Sequence, residues 1–375
     1  MRIAINTRFL LPTKMEGFGW YTYEVVKRLV ENHPEHEFIL FFDRKYEERF
    51  VFGKNVIPVI LNPPARHPLL FHIWFEHSVR RALKKYKADI FFSPDGYLSL
   101  KSDIKQIGVI HDINFEHNPQ DIPKRMRNYL RSNFPKFAKK ADHILTVSEY
   151  SKQDICSTYG IHQKNVTVAW NGASELFKPI PENKQDAIRS KYTSGKPYLL
   201  FVGALHPRKN VDRLIQAFKI FKEKNTKSEE KLVIVGEELF GNQLGAFEIP
   251  DSIRRHIIFT GHVSHEELAK IMGAAKIFTF VPYFEGFGIP LVEAMKCGTP
   301  ILSADKTSLP EVAGDAALYC DPFDVQDIAE KLEQLASNNE LMHKLSKLGL
   351  NRSKLFNWEK TAQAVWDVIY KISAK

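Results

Sequence analysis

Short apolar runs, rich in β-branched and aromatic residues, recur along the chain and alternate with longer segments of amphipathic helical periodicity. The first half contains seven such runs, at residues 2–9, 37–42, 55–61, 88–93, 106–112, 143–148 and 165–170. Helical segments fill most of the intervals, for example residues 20–31 and 75–86. Continuous apolar strands that alternate with helices predict a parallel sheet covered by helices on both faces.

The same pattern starts again in the second half. Six further strands are predicted at residues 197–203, 231–236, 256–261, 276–281, 300–304 and 317–320. Ser264 should cap the helix that follows it, with Glu267 reaching back in a capping box, and Asp324 should cap another helix in the same way. Between the halves, the polar and proline-bearing residues 178–186 are typical of a linker.

Two doubly wound, Rossmann-like α/β domains are therefore predicted, at residues 1–180 and 181–357. The length of 375 residues supports this division, because it exceeds what one ordinary hydrophobic core accommodates. In such sheets ligands bind at the carboxyl ends of the strands. The expected binding site is accordingly a cleft between the two domains.

Cysteine content and hydropathy narrow the cellular setting. The three cysteines (Cys156, Cys297 and Cys320) form no CxxC pair and show no zinc-ligand spacing, which favours a reducing compartment. No apolar run approaches the ~20 residues that span a bilayer, and the first ten residues are too short and polar for a signal peptide. We expect a cytoplasmic protein, either free or peripheral at the inner face of a membrane.

The net charge of +9 is concentrated between residues 54 and 140. The densest stretches are "RRALKKYK" (80–87) and "PKRMRNYLRSNFPKFAKK" (123–140). Two interpretations stay open: solvated helix faces, or a surface that faces anionic lipid or a phosphate-bearing substrate. Nucleic acid is a weaker candidate, because no recognisable binding module accompanies the charge.

Candidate chemistry is concentrated in "YFEGFGIPLVEAM", residues 283–295. Glu285 falls in the loop after a predicted strand, and Glu293 about one turn into the helix that Pro290 should begin. Two carboxylates in this arrangement can accept hydrogen bonds from the hydroxyls of a sugar and of a ribose. The alternative is that Glu293 only favours the helix dipole and that Glu285 is solvated in a turn.

The glycines between these carboxylates point to phosphate. Gly286 and Gly288 lack Cβ atoms, so the backbone can approach a ligand closely. Free amides at the start of the following helix form an anion site. The segment therefore offers a phosphate cradle between two acidic side chains.

Cations precede another predicted helix in "FVGALHPRKNVDRLIQAF", residues 201–218. Arg208 and Lys209 lie in the loop after a strand, and Asn210 should cap the helix. Two cations in this position can neutralise a diphosphate without a metal ion. An exposed basic loop would have the same sequence, so the pair alone is weak evidence.

Two weaker signals lie in the first half. A glycine-rich turn containing Gly17 and Gly19 opens a helix after the first strand, although a plain tight turn explains it equally well. His111, followed by Asp112, is expected at the end of a strand in "IHDINF". A single histidine in such a place is more often structural than catalytic.

Together these motifs resemble those of the retaining nucleotide-sugar glycosyltransferases of GT-B architecture, the glycosyl transferases group 1 family with its E-x(7)-E motif. The resemblance extends over nearly the whole chain. It rests on "EGFGIPLVE", "VGALHPRKN", "FTGHVSHEEL", "EAMKCGTPILSADKTSLPEVAGDAALYCDP", "ADHILTVSEYSKQDI" and "GFGWYTYEV".

The resemblance implies a role for each candidate residue. Glu285 lies beside the donor sugar, Glu293 holds the ribose hydroxyls, and Arg208 and Lys209 bind the diphosphate. His111 lies near the sugar and the attacking hydroxyl. The remaining donor-site residues are backbone contacts at Phe287, Gly288, Ile289 and Gly19, and Gly261 and Val263 near the base, with Gly17, Asp112 and Asn171 carried over weakly.

The implied reaction is metal-independent transfer of a hexose with retention at the anomeric carbon. No cofactor and no metal site are expected, since no D-x-D motif is present and cations and helix amides can neutralise the leaving diphosphate. The first guess is mannose from GDP-mannose, passed to a saccharide or lipid-linked saccharide in surface polysaccharide or lipopolysaccharide assembly. Front-face attack and a covalent intermediate both stay open.

The acceptor is expected to bind the N-terminal domain, and the resemblance implies that the terminal helix, about residues 358–375, packs on it. The basic and aromatic residues 71–87 could face a lipid-linked acceptor, or form an ordinary core-plus-surface helix. Two departures from the family pattern are Ala173 and Ser174 after Asn171, and the arginine directly before Lys209.

Two rival functions share these motifs. One is a nucleotide-sugar epimerase or hydrolase that needs no acceptor. The other is a catalytically silent scaffold that retains a nucleotide site. A hydrolase would release free sugar at a rate comparable with turnover, and a scaffold would bind nucleotide without activity on any donor.

Overall fold

The computed structural model describes residues 1–11, 15, 17–237, 249 and 251–374. The chain divides into two compact units. The first comprises Met1–Gly172 and Asn357–Lys375, and the second comprises Ala173–Phe356. The chain thus leaves the first unit between Gly172 and Ala173, and returns to it between Phe356 and Asn357.

A seven-stranded parallel sheet forms the centre of the first unit, in the order β3-β2-β1-β4-β5-β6-β7. The five inner strands are nearly continuous runs of buried side chains, as a sheet covered on both faces requires, and the two edge strands are only partly buried. The strands are β1 (Arg2–Asn6), β2 (Glu37–Phe42), β3 (Val56–Ile60), β4 (Ile90–Ser93), β5 (Lys105–Val109), β6 (His143–Thr146) and β7 (Val166–Val168).

Helices connect these strands. They are α1 (Gly17–Asn32), α2 (Pro68–Ile73), α3 (Arg80–Lys85), α4 (Asn114–His117), α5 (Lys124–Lys140) and α6 (Glu149–Tyr159). A π-helical turn, Trp74–Val79, joins α2 to α3. The aromatic residues of this region, Phe71, Trp74 and Phe75, are buried in the core of the unit. These three rings are therefore unavailable to a lipid-linked acceptor, and that hypothesis rests on the basic side chains and the half-buried Tyr86.

A six-stranded parallel sheet forms the centre of the second unit, in the order β10-β9-β8-β11-β12-β13. The strands are β8 (Tyr198–Val202), β9 (Lys231–Val235), β10 (Ile257–Gly261), β11 (Ile277–Phe280), β12 (Ile301–Ala304) and β13 (Ala317–Cys320). The helices of this unit are α7 (Glu182–Thr193), α8 (Val211–Lys224), α9 (Asp251–Arg254), α10 (His265–Ala274), α11 (Ile289–Cys297), α12 (Leu309–Ala313), α13 (Val325–Ser337) and α14 (Asn339–Arg352).

The last helix, α15 (Trp358–Ser373), belongs to the first unit. The side chain of Arg28 in α1 lies 2.7 Å from the carboxylate of Glu359. The hydroxyl of Thr361 donates to the carbonyl of Trp170, just after β7. These contacts join the end of the chain to the unit in which the chain begins.

Strand order reverses once in each sheet, and in open parallel sheets ligands bind at such a reversal. In the second unit, β8, β9 and β10 proceed in one direction from the reversal, and β11, β12 and β13 in the other. The loops after β8 and β11 therefore separate at adjacent strands and leave a crevice at their carboxyl ends. The first unit has the equivalent reversal between β1 and β4.

All thirteen predicted strands overlap an observed strand, but several predictions extend too far at the carboxyl end. The structure ends β1 at Asn6 and β5 at Val109, so His111 lies in the loop beyond β5 and not at the end of the strand itself. The chain stays extended there, since the amide of Ile110 donates to the carbonyl of Leu145. The run of apolar residues therefore continues beyond the last residue of the regular strand.

The predictions of helix caps and of the linker were correct only in part. Ser264 and Asp324 cap α10 and α13, but the carboxylate of Glu267 contacts Lys191 and Tyr192 and does not complete a capping box. The predicted linker at 178–186 is wrong over its second half, because α7 starts at Glu182. A proline before a run of polar helix formers starts a surface helix as readily as it marks a linker.

None of the helices in the described part of the chain is long and apolar enough to cross a bilayer.

Candidate functional site

The loop after β8 presents two cations at the strand reversal of the second unit. Pro207–Lys209 forms a short 3₁₀ turn, begun by a hydrogen bond from the amide of Arg208 to Nδ1 of His206. Asn210 follows in a left-handed conformation, with φ of 62°. The turn thereby places Arg208 and Lys209 between the end of β8 and the start of α8.

Asn210 anchors this loop differently from the prediction. Its side chain makes no capping hydrogen bond to α8. Instead, Nδ2 donates to the carbonyls of Val281, 2.9 Å away, and Pro322, 2.7 Å away. Since these carbonyls follow β11 and β13, one buried amide connects three loops at the same edge of the sheet.

Glu285 lies in the loop after β11, directly opposite the two cations. Its Oε1 is 2.8 Å from Nη1 of Arg208 and 2.5 Å from Nζ of Lys209. Arg208 Nη1 also donates to the carbonyl of Phe284. Lys209 Nζ lies 5.2 Å from the ring centre of Phe280. The predicted carboxylate and cation pair thus form one cluster.

Burial and charge act in opposite directions on Glu285. Only 6% of the residue is exposed, and burial by itself raises the pKa of its carboxyl group. The positive charges of Arg208 and Lys209 outweigh that effect and hold the pKa below its ordinary value. Glu285 is therefore ionised at neutral pH, and the turn interpretation with a solvated carboxylate is wrong.

Gly288, in the E-x(7)-E segment, has a backbone conformation that favours glycine. Gly288 has φ of +91°, and a Cβ added there would lie 3.0 Å from Cδ2 of Leu309. At the start of α11, Pro290 has no N–H, and the amide of Leu291 donates to the carbonyl of Gly288. Neither Pro290 nor Leu291 therefore offers a free amide to an anion.

The side chain of Phe287 does not line a ligand surface, because it is buried against Phe356 at 5.7 Å between ring centres. Its expected contribution was a backbone amide, which this packing leaves in place.

Glu293 projects from the second turn of α11 and is 7% exposed. Its Oε1 lies 3.6 Å from Nε2 of His265, the first residue of α10. Because the helix dipole acts mainly within the first turn, a dipole role alone explains this carboxylate poorly. No feature of the sequence pattern singles out His265 as a neighbour of this carboxylate.

Gly261 and Val263, the expected base-side residues, follow β10 in the same unit. Gly261 has φ of +68° and open space where a Cβ would project. Val263 is half-buried. Both therefore lie at the carboxyl edge of the sheet, on the side of β8 away from β11.

In the first unit, His111 is held between aromatic rings. Its ring meets those of Phe18 and Tyr21 edge-on, at 4.8 and 4.7 Å between ring centres. Nε2 lies 2.8 Å from the carbonyl of Pro94, after β4. Gly19, between the two aromatic residues, packs so closely that a Cβ would lie 2.8 Å from the carbonyl of Phe9.

The three weaker candidates have different surroundings. Gly17 starts α1 and is exposed. Asp112 accepts a hydrogen bond from the amide of Asn114, the first residue of the short helix α4. Asn171 is buried, and its Oδ1 has no hydrogen-bond partner among the described residues.

The strand reversal of the first unit holds a buried ion pair that the sequence did not indicate. Arg8 Nε lies 2.6 Å from Oδ2 of Asp95, and the guanidinium lies 4.2 Å from the ring centre of Tyr97. Asn6 donates to the other oxygen of Asp95. Fully paired charges of this kind fix the ends of β1 and β4 relative to each other.

His111 makes stability sensitive to acid. Burial lowers the pKa of its ring below the ordinary 6.5, although the carbonyl of Pro94 and the charges of Asp112 and Asp95 act in the opposite direction. The unfolded chain therefore takes up this proton at a higher pH than the folded protein. The resulting contribution is complete above about pH 6.5 and is lost as pH falls below it.

We expect His111→Gln to remove part of this acid sensitivity. Between pH 6.5 and 5, the free energy of unfolding of the unsubstituted protein should fall more steeply than that of the variant, by up to about 1 kcal/mol per pH unit. Urea unfolding at several pH values measures both slopes. Other histidines titrate equally in both proteins and cancel. Parallel slopes would contradict the assignment.

Across the described ranges, no group of three or more His, Cys, Asp or Glu side chains is arranged to hold a metal ion.

Comparisons with known proteins agree over most of the chain. The family model described as "Glycosyl transferases group 1" matches residues 183–352, and that described as "Glycosyltransferase Family 4" matches residues 15–174. The O-antigen chain mannosyltransferase B of Escherichia coli is 28% identical over 358 residues, covering 92% of this chain and 93% of that protein.

A longer relative and a solved structure extend this picture. The serotype-specific mannosyltransferase WbdA of Escherichia coli is 28% identical over 400 residues, which cover 96% of this chain but 47% of WbdA. This chain thus spans about half the length of that relative. A sucrose-phosphate synthase from Thermosynechococcus elongatus superimposes with a TM-score of 0.81 at 18% identity, covering 100% and 99% of the two chains.

The two family models together leave only short segments unmatched, and the fold is that of GT-B glycosyltransferases. The chain belongs to the group 1 family of glycosyltransferases.

Proposed function

We propose that this glycosyltransferase moves a mannosyl residue from GDP-mannose to a saccharide or lipid-linked saccharide during surface polysaccharide assembly, with retention and without a metal ion. The observation that carries the proposal is the cluster of Glu285 with Arg208 and Lys209 at a strand reversal, eight residues before Glu293. The names of the relatives, an O-antigen chain mannosyltransferase and a serotype-specific mannosyltransferase, favour mannose and a saccharide acceptor.

The two cations act on the leaving group. When the bond between the anomeric carbon and the β-phosphate oxygen breaks, negative charge develops on that oxygen, and Arg208 and Lys209 stabilise it. The acceptor hydroxyl forms the new bond to the anomeric carbon, and its proton passes to the departing phosphate oxygen. Glu285 then stabilises positive charge that develops on the sugar.

Glu293 and the β10 loop bind the nucleoside. The carboxylate of Glu293 accepts hydrogen bonds from the ribose hydroxyls, and residues 261–263 flank the base. In the first unit, His111 contacts the sugar or the acceptor hydroxyl, and Gly19 approaches the phosphates. Because burial lowers its pKa, His111 acts as a neutral ring at pH 7.

The test is a transfer assay with radiolabelled GDP-mannose, UDP-glucose and UDP-galactose, with mannosylated lipid and free mannosides as acceptors, in EDTA. Acceptor-dependent incorporation from GDP-mannose supports the proposal, and NMR of the product reports the anomeric configuration. Free sugar formed at the same rate with and without acceptor would favour a hydrolase. Nucleotide binding without any product would favour a scaffold.

The anchoring of the cation loop by Asn210 can be tested separately. Asn210→Gly keeps the left-handed conformation but leaves the carbonyls of Val281 and Pro322 without this donor. We expect a loss of about 2 kcal/mol in the free energy of unfolding and about tenfold weaker binding of GDP. Urea unfolding and calorimetry measure the two effects. Unchanged affinity for GDP would show that the side chain does not hold the cations in place.

A peripheral membrane position rests on α5, which contains no acidic residue. Five of its basic residues are exposed: Lys124, Arg125, Arg131, Lys136 and Lys139. Such a face is attracted to anionic lipid.

At low salt we expect the protein to float with vesicles of phosphatidylglycerol and not with those of phosphatidylcholine. The double variant Lys124→Glu, Lys136→Glu should lose co-flotation. Absence of co-migration at low salt would leave the basic face as a solvated surface.

A further inference from the structure

The backbone of Glu285 is held by two consecutive hydroxyl side chains from another loop. Its N–H donates to Oγ1 of Thr307 at 3.3 Å, and its carbonyl accepts from Oγ of Ser308 at 2.9 Å. Glu285 lies outside regular secondary structure, so its backbone groups need such partners. Both partners come from the short connection between β12 and α12.

Thr307 occupies an unusual backbone conformation, with φ of 57°. The other described non-glycine residues with positive φ are Lys87, Ser194 and Asn210, so Thr307 is the β-branched member of this set. A β-branched residue is disfavoured in the left-handed region, because its Cβ substituents crowd the backbone. Glycine or asparagine would adopt this conformation with less strain, and neither carries a hydroxyl group.

Leu309, two residues after Thr307, contacts the turn formed by Glu285–Gly288. Leu309 packs against Gly288, three residues after Glu285, where an added Cβ would lie 3.0 Å from Cδ2 of Leu309. Ser308 is fully buried between these contacts. Three consecutive residues, 307–309, therefore hold the two ends of the Glu285–Gly288 turn.

We propose that Thr307 and Ser308 are positioning residues that fix the carboxylate of Glu285 against Arg208 and Lys209, an inference that rests on the proposed function for its catalytic consequence. The loop of Glu285 has no ladder of its own, and two ionic contacts to flexible side chains do not fix a backbone. The hydroxyl groups of residues 307 and 308 supply that constraint. Threonine thus supplies at this strained position a hydroxyl group that glycine or asparagine would lack.

Three variants separate positioning from stability. Thr307→Gly removes the hydroxyl and relieves the strain, Thr307→Ser keeps the hydroxyl, and Ser308→Ala removes the second contact. Ser194→Gly is the matched control, since Ser194 is also left-handed and lies exposed at the end of α7 in the same unit. It contacts none of the residues of the cluster.

We expect Thr307→Gly and Ser308→Ala each to lower kcat about tenfold, with KM for the nucleotide sugar within about twofold of its original value, because misplacement of a reacting group slows the chemical step. Thr307→Ser should stay within about twofold in kcat. Thr307→Gly should unfold at a similar temperature, because relief of strain offsets the lost hydrogen bond. Ser194→Gly should leave kcat unchanged.

An undiminished kcat in Thr307→Gly would overturn the proposal, whatever the unfolding temperature of the variant. A crystal structure of the Thr307→Gly, Ser308→Ala protein gives a readout that needs no activity. We expect Oε1 of Glu285 to lie beyond 4 Å from Arg208 Nη1 or Lys209 Nζ. An unchanged cluster would refute the positioning role, whereas a native enzyme without transfer activity would refute only the proposed function.

Discussion

Glu285→Gln is expected to slow transfer strongly while strengthening the binding of GDP. In the structure, one carboxylate oxygen neutralises both Arg208 and Lys209, and a diphosphate must compete with it for these cations. Removing its charge frees them, so we expect about tenfold tighter binding of GDP, equivalent to about 1.4 kcal/mol. The transfer rate should fall about 10³-fold, because the developing charge on the sugar loses its counter-charge.

The same substitution should destabilise the unliganded protein. Two largely buried cations would remain without a carboxylate, at a cost of about 2–3 kcal/mol, discounted for the partial exposure of Arg208. In a domain of this size class the unfolding temperature should fall by about 5–10 °C. Saturating GDP should restore most of the loss, since the diphosphate replaces the missing charge.

Glu175→Gln is the control for this prediction. Glu175 pairs with Lys296 in the same unit but is 88% exposed, so its loss should change neither stability nor binding measurably. Calorimetry with GDP and thermal unfolding measure the effects in both variants. Weaker binding of GDP to Glu285→Gln than to the native protein would show that the carboxylate does not compete with the diphosphate.

Arg208→Ala and Lys209→Ala are each expected to lower kcat about 10²–10³-fold. Each removes one of two charges that stabilise the departing diphosphate, an effect of the size found for single donors to a developing oxyanion. KM for the donor should rise less than kcat falls, since the charge on the leaving oxygen is greatest in the transition state. Steady-state kinetics with the labelled donor measure both constants.

Lys219→Ala provides the comparison, because Lys219 lies on α8 and pairs with Glu223 at the surface. Its kcat should match that of the native enzyme. If Arg208→Ala or Lys209→Ala keeps kcat within about threefold, charge neutralisation by this pair is not a major part of catalysis.

The strands were predictable because parallel strands that are buried on both faces have short, continuous apolar sequences. β8, for example, is Tyr198–Val202, and every one of its residues is buried. Strand ends were less predictable, since the apolar run at 106–112 continues past the last ladder residue, Val109. The end of a strand depends on how far the neighbouring strand continues beside it. The sequence of one strand does not show how long its neighbour is.

The members of the cluster could be chosen from the sequence, but their contacts could not. Glu285 meets Arg208 because β8 and β11 are neighbours at the strand reversal, and strand order depends on the packing of the whole unit. The anchoring by Asn210 and Thr307 was missed for a similar reason. Each side chain forms a hydrogen bond to a backbone group of a distant loop. Such a contact cannot be predicted from the residue type alone.

The most direct test of the account is thermal unfolding against GDP-, UDP-, ADP- and dTDP-sugars in the presence of EDTA. A ligand that binds only the folded state at a hundredfold excess over Kd stabilises it by ~2.7 kcal/mol. The account predicts a shift with GDP-mannose that EDTA leaves unchanged and that Glu293→Ala and Arg208→Ala both abolish. No shift with any nucleotide sugar, or a shift that EDTA removes, would contradict a metal-independent donor site at Glu285, Glu293, Arg208 and Lys209.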